Sequence, residues 1–114
     1  MIDDQSRVEM NLCRIEVETW QRKQFPNATL EGAGAHLLQE IEEACEELAD
    51  CFFMAVQCEN LGGAPMGLPL AIWEMMEGLG CIPERVIMAK LAKNKARKWP
   101  ETPNDQGVYN HEEG

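Results

Sequence analysis

Glu40, Glu43, Glu47 and Asp50 are four carboxylates at near-helical spacing. At about 100° per residue they fall in one stripe about 80° wide. Like charges at i,i+4 repel by roughly 0.2–0.5 kcal/mol in water, and by more when shielded from it. A hard divalent cation such as Mg²⁺ relieves that repulsion, because it prefers carboxylate oxygens and keeps several waters. A solvated acidic face is the commoner explanation of a Glu-rich helix. Against it, Met54 and Cys58 continue the same line with apolar groups, which implies partial cover. Glu42 and Glu46 fall in a different sector and are expected to be the ordinary solvated acids.

A second set lies near the C-terminus. Lys90, Lys93, Asn94 and Arg97 share one helical face, beside an apolar face of Ile87, Met88, Leu91 and Ala92. Lys and Arg at this spacing hold phosphate oxygens, and a guanidinium binds two at once. The favourable placing of cations near a helix C-terminus accounts well for Lys95 and Lys98. It accounts less well for four donors that face one way.

These sets sit in a chain whose charge is segregated. Between Lys23 and Arg85 there is no Lys or Arg, but there are acids from Glu31 to Glu84. From Arg85 to Lys98 there are bases and no acid. The acids therefore lack local i,i+4 partners. Their neutralisation falls to solvent, a bound cation or a distant basic element of the fold. The net charge of −10 argues against binding to nucleic acid or to an anionic membrane.

Length and composition bound the rest. At 114 residues the chain is read as one domain, 1–114, with a core at about 6–99 and a polar, loose tail at 101–114. Its cysteines are Cys13, Cys45, Cys51, Cys58 and Cys81, an odd number with no C-x-x-C. That speaks against a disulfide framework or a zinc ribbon, and for buried or idle thiols in a reducing cytoplasm. Met1 to Gln5 has no basic or apolar leader character, and no apolar run is long enough to span a membrane. The expected location is the cytoplasm.

The elements that must position the two sets are all helices. The first is expected over about 6–24, ended by Phe25-Pro26-Asn27. The second runs from near Gly32 to about Glu59, with Leu37, Leu38, Ile41, Cys45, Leu48 and Phe52 along its apolar stripe. Gly32-Ala33-Gly34 reads as a helix entry rather than a phosphate loop, since no strand precedes it. Leu61 to Pro65 is a loop, and a short helix follows over Leu68–Gly78. Pro83 opens the last helix, which runs to about Lys98 before Trp99-Pro100. No alternating strand pattern of useful length appears.

In this order the motifs resemble a known family. Trp20 and Phe25 come first, then His36 with Glu40-x-x-Glu43 and Glu47-x-x-Asp50. Lys90-x-x-Lys93-Asn94-x-x-Arg97-x-Trp99-Pro100 completes the set. Together they look like the MazG-like all-α nucleoside triphosphate pyrophosphohydrolases, nearest the phage and prophage dATP/dGTP type. The resemblance implies a small all-α bundle of about four helices that assembles as a homodimer or homotetramer. It implies Mg²⁺-dependent cleavage between the α and β phosphates, with Mn²⁺ as a substitute, giving a nucleoside monophosphate and pyrophosphate. By the same resemblance Glu40, Glu43, Glu47 and Asp50 hold the metal and carry catalysis. Lys90, Lys93, Asn94 and Arg97 contact phosphates or sugar, and Trp20 and Gln21 face the base.

The chain departs from that pattern in one respect. The family carries its acidic pairs on two facing helices, whereas here only Ala44, Cys45 and Glu46 separate Glu43 from Glu47. One continuous helix sets Glu40 and Asp50 about 15 Å apart along its axis, too far for one Mg²⁺ with bonds of about 2.1 Å. Three arrangements repair this: a broken helix, two chains paired antiparallel, or facing carboxylates from Glu74 and Glu77. Two other classes of function stay open. One is an acidic helical interaction or regulatory protein, an inactive relative or a DNA mimic. The other is a structural helical oligomer without a ligand.

Overall fold

The computed structural model describes residues 3–63 and 67–111, and its elements are four α-helices. α1 spans Asp4–Gln24, α2 Leu30–Asn60, α3 Leu68–Gly78 and α4 Pro83–Ala96. The Leu61–Pro65 loop lies partly outside the described residues. None of the helices is long and apolar enough to cross a membrane, among the described residues. The chain divides into two compact units, Met1–Leu37 and Leu38–Gly114.

Helix ends move from their expected places for local reasons. α1 starts before residue 6 because the Asp3 carboxylate accepts from the Ser6 N–H at 2.7 Å, which satisfies one of the helix's free donors. That hydrogen bond holds the Asp3 carboxyl below its ordinary value of 3.8. A depressed carboxylate stabilises the fold above its unfolded value, and the gain is lost as pH falls through the folded one. Acid titration of the Ser6 amide resonance is therefore expected to show a midpoint below 3.8. α2 starts before Gly32 because the Thr29 hydroxyl accepts from the Gly32 N–H at 3.1 Å. α4 stops at Ala96, since Arg97 is extended, at φ −80° and ψ 156°.

In the first unit α1 buries none of its residues. Leu12 and Ile15 are each more than half exposed, at 60% and 59%. Trp20 stacks edge-on against Phe25, with ring centroids 5.3 Å apart.

The second unit holds the core. Ala49 and Ala55 of α2, Ile72 and Met76 of α3, and Ile87 of α4 form one buried cluster. Leu48, Phe52, Phe53, Trp73, Cys81 and Val86 pack around it. α3 closes in a Schellman turn: the Cys81 N–H donates to the Met76 carbonyl at 3.1 Å and the Gly80 N–H to that of Glu77 at 2.9 Å. Gly80 supplies the positive φ of 86° that this turn needs. Pro83, preset for a first helical turn, then launches α4.

The described part of the tail makes local contacts. The Asn104 side chain accepts from the N–H groups of Gln106 and Val108, at 2.9 and 3.0 Å. The His111 ring meets Trp99 edge-on at 5.7 Å.

Candidate functional site

Within the second unit, the acidic helix and the basic helix wall one cleft of about 620 Å³. α2 contributes Leu38, Ile41, Glu42, Cys45 and Glu46, and α4 contributes Arg85, Val86, Ala89, Lys90 and Lys93. The turn between α3 and α4 adds Leu79, Gly80 and Cys81. The volume lies in the usual range for small-molecule sites, roughly 300–1,000 Å³.

The carboxylates that line this cleft are not those the sequence stripe singled out. Glu42 and Glu46 are exposed, as expected of solvated acids, and also line the cleft, with Asp50 one turn further on outside its lining. The three repeat every four residues, as do Arg85, Ala89 and Lys93 opposite. Such i±4 rows are the ridges by which helices pack. One cross-helix ion pair ties them together: Lys90 Nζ lies 3.2 Å from Asp50 Oδ1. The Lys90 side chain is 18% exposed and that of Asp50 45%. A partly solvated pair of this kind contributes up to about 1 kcal/mol. A basic element distant in sequence thus neutralises part of the acidic stretch.

Glu40, Glu43 and Glu47 are exposed on α2 and do not line the cleft. Gln39 Nε2 donates to Glu43 Oε1 at 3.5 Å. The cover expected from Met54 and Cys58 is absent, since Met54 is 57% exposed and Cys58 is also exposed. α2 runs unbroken from Leu30 to Asn60, which removes the broken-helix arrangement. Among the described residues no three His, Cys, Asp or Glu side chains converge to hold a metal ion. The carboxylate chemistry suits Mg²⁺, but one chain alone does not gather the ligands. Among the described residues Glu74 and Glu77 of α3 form no metal-binding group with the acids of α2.

Lys90 and Lys93 face the cleft as the basic stripe implies, whereas Asn94 and Arg97 do not line it. Arg97 Nη1 donates to Asn94 Oδ1 at 3.2 Å, and Trp99 Nε1 donates to the Asn94 carbonyl at 2.7 Å. The Asn-x-x-Arg-x-Trp string thus closes the C-terminal end of α4. Trp20 and Gln21 belong to the first unit, where the Gln21 carbonyl accepts from the Phe25 N–H at 2.8 Å. No protein family, curated protein or solved structure matches this chain. The chemistry of the site therefore rests on its own residues.

The sequence reading missed Glu42, Glu46 and Arg85. The available signal was their four-residue repeat beside the buried positions Cys45 and Ala49. It also missed the pairing of Cys45 with Cys81, whose Cα atoms are 6.6 Å apart. The reading of all the cysteines as buried or idle thiols is corrected for these two, because the fold brings their segments within the roughly 4.4–6.8 Å a disulfide spans. Cys13, Cys51 and Cys58 are free and exposed.

Chemically the cleft offers three things. Arg85 and Lys93 supply donors for anionic oxygens. Glu42 and Glu46 supply acceptors for a cation or an amino group. Leu38, Ile41, Leu79 and Val86 supply an apolar surface on which a flat ring can lie.

Proposed function

We propose that the protein is a nucleoside triphosphate pyrophosphohydrolase of the MazG-like kind, converting a (d)NTP to its monophosphate and pyrophosphate with Mg²⁺. The observation that carries this reading is the cleft walled by carboxylates of α2 and cations of α4. A nucleoside triphosphate uses the cleft's cations for phosphate and its apolar wall for the base, and the acid-rich α2 beside it draws the accompanying metal. Lys93 and Arg85 hold the phosphate chain and offset charge that builds on the leaving pyrophosphate. Lys90 stays tied to Asp50 and keeps the two helices in register. Mg²⁺ would supply a water of lowered pKa and shield the charge of the triphosphate. By the resemblance its ligands are Glu40, Glu43, Glu47 and Asp50.

Because one chain does not gather these ligands, the reading includes self-association. Two antiparallel copies of α2, crossing near Cys45, bring Glu40 of one copy towards Asp50 of the other. The uncovered apolar residues of α1, Leu12, Ile15 and Trp20 among them, supply surface for such an assembly.

The test is a screen for Mg²⁺-dependent pyrophosphate release across all dNTPs and NTPs. Release from at least one of them, abolished by chelation, is expected. Release from none would transfer the case to an acidic interaction protein.

A further inference from the structure

Cys45 and Cys81 are far apart in sequence and both line the cleft. Cys45 sits on α2 between Glu42 and Glu46, and it is 4% exposed. Cys81 is half-buried in the turn that launches α4, four residues before Arg85. Tying these two positions together sets the distance between the carboxylate wall and the wall that carries Arg85 and Lys93. A second cross-helix tie, the Lys90–Asp50 pair, is partly solvated and weak by comparison with a covalent bond. We propose that Cys45 and Cys81 form a redox latch that fixes the two cleft walls when oxidised and frees them when reduced.

The chemistry is thiol–disulfide exchange with a low-molecular-weight thiol as reductant. Its thiolate attacks Sγ of Cys81, the more exposed of the two cysteines. The S–S bond breaks, and Cys45 leaves as a thiolate that takes up a proton. A second thiol attacks the mixed disulfide, frees Cys81 and departs as the reductant's own disulfide. Two electrons pass to the protein and two thiols are made. The exposed Cys13, Cys51 and Cys58 take no part, because each is free in the paired state.

The inference rests on the cleft as the working site but not on hydrolysis. Its test uses the full chain, either oxidised by a small disulfide or reduced by dithiothreitol. Alkylation after denaturation is expected to mark Cys13, Cys51 and Cys58 in the oxidised form and all the cysteines in the reduced form. Amide exchange over residues 79–86 is expected to rise about tenfold or more on reduction. Affinity for Mg²⁺–pyrophosphate is expected to fall about fivefold or more. Cys81→Ser, and Cys45→Ser as a second variant, should match reduced wild type under both conditions. Alkylation of all the cysteines after oxidation would overturn the latch, and so would a pair that forms without changing exchange at residues 79–86. Absence of dNTP turnover in both states bears on the hydrolase reading alone, because exchange decides the latch.

Discussion

Glu43→Gln is expected to abolish Mg²⁺-dependent pyrophosphate release, with kcat lowered about a thousandfold or more, equivalent to roughly 4 kcal/mol in the transition state. The substitution keeps the shape of the side chain and removes only its charge. Glu43 is exposed on α2, and its contact with Gln39 Nε2 is long, at 3.5 Å. Stability should therefore change by less than about 0.5 kcal/mol. Removing one charge from the line Glu40–Glu43–Glu47 relieves repulsion along the helix, so a small gain is expected. Loss of turnover with an unchanged melting temperature cannot then be blamed on unfolding. Steady-state pyrophosphate release and a thermal melt, run side by side, make the comparison. An acidic interaction protein would show only weaker partner binding on the same substitution, and a ligand-free helical oligomer would be neutral or slightly stabilised. Full activity in Glu43→Gln would move the metal to the acids that line the cleft, Glu42 and Glu46.

That choice between two acidic rows shows where sequence reasoning runs out. Helix type is a local property. The period of Leu37, Ile41, Leu48 and Phe52 along α2 suffices to read it, and the observed chain is helical throughout its regular elements. The ends shift by a few residues where a single side chain, Asp3 or Thr29, takes a free donor. Which flank of α2 faces α4 is a tertiary property. It depends on how the helix is rotated when Ala49 and Ala55 enter the core beside Met76. Glu42 and Glu46 border that buried face, and Glu40, Glu43 and Glu47 lie beyond it. Both rows look alike in sequence. The same limit applies to Cys45 and Cys81, since spacing along the chain says nothing about two sulfurs brought together by separate elements. Asn94 and Arg97 carry donors that fit a phosphate equally well on paper. In the fold their hydrogen bond to each other serves the end of α4.

Affinity for Mg²⁺ is expected to collapse, by about a hundredfold or more, when the protein is diluted until its copies separate. The reasoning is geometric. α2 is one unbroken helix, so each residue advances about 1.5 Å along its axis, and Glu40 cannot share a small octahedral ion with Asp50 of the same chain. A nearer pair such as Glu43 and Glu47 leaves a single-chain site short of ligands, in keeping with the lack of any three-ligand group among the described residues. A second antiparallel helix supplies the missing carboxylates at the crossing point, and the ion in turn screens their repulsion. Binding and assembly are then linked: each must strengthen the other by the same factor. Calorimetric Mg²⁺ titration at a series of protein concentrations, with the mass in solution followed by sedimentation, measures both sides of that linkage. Added Mg²⁺ should shift the dissociation midpoint to lower protein concentration. A folded monomer that binds Mg²⁺ as tightly as the assembled form would place the ion within one chain and rule out a site shared between copies.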